Sequence, residues 1–211
     1  MNPIIQTIKD QKIVPLFYNE SFEASKSTVK ALYNGGIRVI EYTNRGSQAL
    51  ENFIRLKEIL STEFPGLLLG IGTVKNTNEM DDYANAKADF IITPVISRKL
   101  IKHSIKKNVL LIPGCFTPSD VNLAFQSGLN LVKIFPADAL GKKYIKSIQP
   151  VFQGMNFMPT GGVNADVEDI NEWFRGGAIA VGLGSSLVIS DLTEEQLTEK
   201  VRNLLQQLNK N

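Results

Sequence analysis

Eight short runs rich in aliphatic and β-branched residues recur along this chain: IVPLF (13–17), IRVIEYT (37–43), LLLGIGT (67–73), FIITPV (90–95), VLLIPGCF (109–116), LVKIFPA (131–137), NFMPTGG (156–162) and AIAVGLGSS (178–186). Stretches with helical spacing lie between them. Phe22, Val29, Leu32 and Tyr33 precede the stop signal NGG, and Leu50, Phe53, Ile54, Lys57 and Leu60 follow Ser47, a candidate N-cap. The last such stretch opens on the capping box TEEQ (193–196) and carries the apolar stripe Leu197, Val201, Leu204, Leu205 and Leu208. Near-continuous apolar strands alternating with helices, one helix after each strand, require a parallel sheet covered on its faces. Eight such units in 211 residues predict an α/β fold, a single (β/α)8 TIM barrel with an N-terminal helix, occupying residues 1–211 as one domain.

A doubly wound open sheet is the competing architecture. Against it, GIGTVKN comes too late and lacks the third glycine of a dinucleotide fingerprint, and no Gly-Lys-Ser/Thr phosphate loop occurs. SQALENFIRLKEIL reads as an outer barrel helix rather than a partner-binding one. The balance of 23 basic and 21 acidic residues, a net +2, gives no global field towards nucleic acid or an anionic bilayer. A lone cysteine, Cys115, suits a reducing compartment, and a lone histidine, His103, leaves no Cys/His set for zinc. No apolar run reaches the roughly 18 residues of a membrane span, and the N-terminal apolar run is too short for a signal peptide. A cytoplasmic protein without metal, nucleic-acid partner or membrane attachment is the expectation.

In a barrel of this kind chemistry belongs at the C-terminal ends of the strands. There LVKIFPAD (131–138) carries a lysine inside an apolar run, where an unpaired ammonium costs several kcal/mol. Alternation puts Leu131, Lys133 and Phe135 on one face and Val132 and Ile134 on the other. Lys133 then points into the barrel, and the same logic on the second strand turns Val39, Glu41 and Thr43 inwards and Ile40 and Tyr42 outwards. A lysine and a glutamate would share the interior, either as a structural ion pair or as a nucleophilic amine beside a general acid/base. An ordinary lysine is neutral in only about four molecules per ten thousand at pH 7, so an amine nucleophile needs surroundings that disfavour the ammonium. Burial and a cation such as Arg45 would do so; an ionised Glu41 would oppose them.

TGGVN (160–164) and GLGSS (182–186) leave strands seven and eight, where barrels commonly hold phosphate on backbone N–H groups. Arg45 and Thr73, at the ends of strands two and three, could clamp a carboxylate, the arginine through a fork of two hydrogen bonds. Pro94 and Pro113 shape strand ends. TPSD (117–120) reads as a helix start with Thr117 as N-cap, and Cys115 and His103 read as structural.

Taken together, EYTNR, GIGT, TP, PGCFTPSD, KIFPA, PTGG and GSS, in this order and spacing, resemble the 2-keto-3-deoxy-6-phosphogluconate (KDPG) / 4-hydroxy-2-oxoglutarate (KHG) aldolases, and the resemblance covers nearly the whole chain. It implies a class I aldolase on a (β/α)8 barrel, without a metal or other cofactor, assembled as a homotrimer. Lys133 would form an imine with the keto carbon and Glu41 would shuttle protons. Arg45 and Thr73 would hold the pyruvate carboxylate, and Pro94, Phe135 and Thr160 would touch the rest of the substrate. Gly161, Gly162, Gly184 and Ser185 would hold its phosphate. The family often has Leu where Asn44 stands, Gly where Val95 stands and an aromatic where Ser186 stands, which bears on the shape of the pocket and hence on substrate choice. Two rival readings use the same residues: a phosphosugar isomerase or synthase with Glu41 as base and no covalent lysine, and a non-catalytic barrel that binds a phosphorylated acid.

Overall fold

The computed structural model describes residues 2–210. In chain order the elements are α1 (Pro3–Gln11), β1 (Ile13–Phe17), α2 (Phe22–Asn34), β2 (Val39–Thr43), α3 (Ala49–Glu63), β3 (Leu68–Gly72), α4 (Thr77–Asn85), β4 (Phe90–Thr93), α5 (Arg98–Lys106), β5 (Leu110–Cys115), α6 (Pro118–Gln126), β6 (Leu131–Ile134), α7 (Ala137–Leu140), α8 (Lys143–Ile148), β7 (Asn156–Pro159), α9 (Val167–Arg175), β8 (Val181–Leu183) and α10 (Glu194–Leu208). All strand pairs are parallel, in the order β7-β6-β5-β4-β3-β2-β1-β8. The ring is nearly closed where β7 meets β8, through a bridge between Thr160 and Gly182 and the hydrogen bond from Ile179 N–H to the Phe157 carbonyl. All eight strands predicted from the sequence are present, in a barrel rather than an open sheet.

Two apolar layers follow from strand alternation. Val14, Val39, Phe90, Ile92, Ile112, Leu131, Met158 and Ala180 fill the barrel interior, and Ile5 and Ile8 of α1 pack against them, so the N-terminal helix plugs one end of the barrel. Full burial of each isoleucine contributes about 1.5–3 kcal/mol. Ile40, Tyr42, Val132 and Ile134 belong to the second layer, between strands and helices, as the alternation on β2 and β6 requires. Tyr42 is fully buried there. Its hydroxyl donates to the Asn19 carbonyl at 2.9 Å and meets Ser25 Oγ at 3.0 Å, which ties the β1–α2 loop to β2.

The predicted capping box of Thr193 with Gln196 forms, and the predicted N-cap Thr117 forms one as well, with Asp120. Three expectations are corrected. Ser47 is not the N-cap of α3: Gln48 holds that position without a side-chain hydrogen bond, because the Ser47 hydroxyl is drawn off to Glu20 Oε1 at 3.1 Å. β6 is followed by two short helices instead of one, with Gly141 at φ 73° turning the chain after α7. Several strands stop short of their apolar runs; β6 ends at Ile134 because Pro136 carries no amide hydrogen for the ladder. Among the described residues no helix is long and apolar enough to cross a membrane.

Candidate active site

The residues singled out on the strands do converge. Lys133 projects inwards from β6 and is 5% exposed, while Glu41 on β2 is fully buried, and Lys133 Nζ stands 3.5 Å from Glu41 Oε1. Neither Glu41 oxygen has a hydrogen-bond partner among the described residues. A buried carboxylate so left is expensive, by several kcal/mol, if its only compensation is one lysine at ion-pair distance. Such a group is poised for a further partner, a substrate hydroxyl or a water. The Phe135 ring stacks by the same ammonium, with Nζ 5.1 Å from its centroid.

Room for Glu41 comes from a glycine. Gly72 lies on β3, beside β2, and a Cβ there would fall 2.5 Å from Glu41 Cδ and 2.8 Å from Cγ. Gly182 plays the corresponding part for Thr160, since a Cβ on Gly182 would stand 2.9 Å from Thr160 Cγ2. Thr160 Oγ1 is likewise buried without a hydrogen-bond partner among the described residues.

Above Lys133 opens a cavity of about 390 Å³ lined by Lys133, Arg45, Phe135, Thr160, Gly161, Gly162, Gly184 and Ser185, eight of the residues named from sequence. Arg45 is exposed, and among the described residues its guanidinium forms no ion pair with a carboxylate, so its fork is available to a ligand. A second cavity of about 420 Å³, towards α2, shares Leu16, Arg45, Gly184 and Ser185 with the first.

The loops after β7 and β8 supply a second kind of chemistry. Gly161 and Gly162 adopt φ 90° and 73°, the left-handed region that glycine enters without steric cost. The backbone N–H groups of Gly162, Val163, Ser185 and Ser186 find no acceptor among the described residues, and all four residues line the cavity. Four such donors, on two loops that border one cavity, are the kind of cradle that can hold an anion.

Three candidates stand off the cavity wall. Glu41 lies behind Lys133. Thr73 follows β3 with φ 63°, an uncommon conformation for a β-branched residue, and Pro94 follows β4 with its carbonyl over Gly114. Five lining residues were not among the sequence candidates: Leu16, Val163, Asn164, Gly182 and Ser186. Leu16 could have been found from its alternation with Val14, and the others lie within the TGGVN and GLGSS stretches. At the positions that depart from the family pattern, Asn44 Oδ1 accepts from the Tyr83 hydroxyl at 2.9 Å, Ser186 Oγ donates to the Val163 carbonyl at 2.9 Å, and Val95 is half exposed. Cys115 is buried, and burial pushes its thiol up to about 12, which suits packing and not nucleophilic attack. His103 pairs with Asp81 at 2.7 Å between α5 and α4, in the helical layer.

With this geometry in view, similarities to known proteins bear on the chemistry. A family model described as KDPG and KHG aldolase matches residues 4–204. The 2-dehydro-3-deoxy-phosphogluconate aldolase of Zymomonas mobilis is 33% identical over 164 residues, covering 77% of this chain and 76% of that one. A crystal structure of the Z. mobilis KDPG aldolase with 3-phosphoglycerate superposes with a TM-score of 0.87 at 29% identity, covering 97% of this chain and 95% of that one. The KDPG aldolase of Legionella pneumophila, with pyruvate captured as a covalent carbinolamine, superposes with a TM-score of 0.85 at 29% identity, covering 94% and 96% of the two chains.

Proposed function

The chain belongs to the KDPG and KHG aldolase family and is a carbon–carbon lyase of the class I type, and we propose that Lys133 is the imine-forming residue, with Glu41 its acid/base partner. One observation carries the assignment: a nearly buried amine at a cavity, 3.5 Å from a buried carboxylate whose oxygens have no hydrogen-bond partner among the described residues.

The uncharged Lys133 amine attacks the C2 carbonyl of a 2-keto acid, giving a carbinolamine like the one captured in the L. pneumophila enzyme. Loss of its hydroxyl as water requires a proton donor within reach, and Glu41 is the carboxyl group beside Lys133. The protonated imine then serves as electron sink. Glu41 accepts the C4 hydroxyl proton, directly or through a water, the C3–C4 bond breaks, and an aldehyde leaves a pyruvate enamine on Lys133. Protonation at C3 and hydrolysis of the imine release pyruvate. This route needs no metal or other cofactor.

Arg45 and Thr73 hold the pyruvate carboxylate, while Pro94, Phe135 and Thr160 border the substrate chain. Gly161, Gly162, Gly184 and Ser185 bound the phosphate site. The four unpaired N–H groups favour an acceptor aldehyde carrying phosphate, so 2-keto-3-deoxy-6-phosphogluconate, cleaved to pyruvate and glyceraldehyde 3-phosphate, is the leading substrate. The bound 3-phosphoglycerate of the Z. mobilis enzyme supports this reading. 4-Hydroxy-2-oxoglutarate, cleaved to pyruvate and glyoxylate, is the second substrate. A homotrimer located in the cytoplasm, with residues 1–211 as one catalytic domain, completes the proposal.

Borohydride reduction in the presence of pyruvate, followed by peptide mass spectrometry, tests it. Lys133 should carry the reduced pyruvate adduct, and Lys133→Ala should lose both label and aldol cleavage. Label on another lysine, or cleavage retained in Lys133→Ala, refutes the assignment.

A further inference from the structure

Two hydrogen bonds remote from the imine centre meet at Ser186. Its hydroxyl crosses from the β8 loop to donate to the Val163 carbonyl of the β7 loop at 2.9 Å, and its own carbonyl accepts from Lys200 Nζ of α10, also at 2.9 Å. Val163 and Ser186 both line the cavity, and each carries one of the four N–H groups without an acceptor among the described residues. The β8 loop is itself one tight turn, with the N–H groups of Leu187 and Val188 both donating to the Gly184 carbonyl at 3.0 Å. Within it Ser185 and Ser186 line the cavity, while the Ser186 carbonyl is engaged by α10.

Lys200, like Lys12 on the Leu208 carbonyl, is held by a backbone carbonyl rather than a carboxylate. Lys142 and Lys57 are held by carboxylates; Lys200 forms no ion pair among the described residues, and its contact is a neutral carbonyl. Burial alone acts on it, pushing its ammonium below lysine's ordinary value. A partly desolvated cation without a counter-ion is costly, and its charge is uncancelled on the side of the cavity where an anion would sit.

We propose that Lys200 is a positioning residue for phosphate: it clamps the Ser186 carbonyl, fixes through Ser186 the spacing of the β7 and β8 loops, and adds an uncompensated positive charge behind the cradle. The proposal rests on the reading of the cradle as the phosphate site. It assigns to α10, which touches no substrate, a part in discriminating phosphorylated from unphosphorylated acceptors. The donor half of the site, Lys133 with Glu41, is untouched by it.

The test uses the full-length chain with Lys200→Met, which keeps the stem and removes the donor, Lys200→Gln, which keeps a donor without charge, and Lys200→Arg. Charge-assisted hydrogen bonds differ from neutral ones by enough to change affinity roughly tenfold. Lys200→Met should weaken inorganic phosphate binding in calorimetry about tenfold and raise KM for the phosphorylated substrate by a similar factor, with kcat and the kinetics on 4-hydroxy-2-oxoglutarate within about twofold. Lys200→Arg should restore most of the loss and Lys200→Gln little of it; if the Met variant does not fold, the Gln variant decides alone. Unchanged phosphate binding, or equal losses on both substrates, overturns the proposal. Phosphate titration needs no turnover, so a wild-type chain that binds phosphate without labelling by pyruvate would sink the aldolase reading and leave the Lys200 clamp to be judged by the variants.

Discussion

Gly70 and Gly72 stand two residues apart on β3 and face the same side, yet a methyl group on each meets a different neighbour. On Gly72 it would reach 2.5 Å from Glu41 Cδ, whereas on Gly70 it would press into the ring of Phe90, a fully buried residue of the barrel core. Carbon atoms pack at roughly 3.5–4.0 Å, and Glu41 Oε1 lies nearer still to that methyl position, so Gly72→Ala obliges the Glu41 carboxyl to retreat by at least about 1 Å. The end of a glutamate side chain gives way more readily than a core ring, so the stability cost should lie at the low end of the overpacking range, about 1 kcal/mol. The catalytic cost is another matter, since a displacement of about 1 Å lowers a rate on the order of a hundredfold. In Gly70→Ala the ring cannot swing aside within a filled core, so about 1–3 kcal/mol of stability should be lost while Glu41 keeps its place. Urea denaturation and steady-state aldol cleavage, measured on both variants, should give opposite patterns. Gly72→Ala should be stable and about a hundredfold slow in kcat; Gly70→Ala should be destabilised with kcat within about threefold of wild type. A Gly72→Ala enzyme with unaltered kcat, or equal kcat losses in the two variants, would show that the position of the Glu41 carboxyl does not limit the reaction.

Two further outcomes follow from local geometry. Thr73 holds φ 63°, and relief of that strain, worth about 1–2 kcal/mol, nearly offsets the backbone freedom a glycine adds; Thr73→Gly should leave the melting temperature almost unchanged and raise KM for pyruvate in the condensation direction. At Asp120, burial pushes the carboxyl up, but hydrogen bonds from the Thr117 and Phe116 N–H groups and the Thr117 hydroxyl outweigh it and hold the group below its ordinary value. Its stabilising contribution is therefore complete above the unfolded value near 3.9 and is lost as pH falls through the lower folded one. Asp120→Ala should cost about 1 kcal/mol at pH 7, and the gap from wild type in denaturant melts should narrow below about pH 4; a gap that stays constant into acid would contradict the capping account.

Much of the barrel was legible because its signals are local and periodic. A two-residue alternation on β2 and β6 was enough to turn Glu41 and Lys133 inwards, and Thr117 and Thr193 announced their helices through side chains that bond three residues away. Ser47 failed as a cap because a residue 27 positions earlier, Glu20, took its hydroxyl, and that competition has no local trace. The break into α7 and α8 depended on a glycine that, read alone, could equally have ended one helix.

Sequence by itself determined the fold, the inward lysine and glutamate, and the glycine-rich loops, because each follows from the order of residues along one strand or turn. Tertiary structure alone decided that Lys133 and Glu41 stand 3.5 Å apart, that Gly72 makes the space for that approach, and that Lys200 reaches Ser186. Distances between elements far apart in the chain are set by barrel closure and by packing against neighbouring strands, and no pattern within a single segment encodes them.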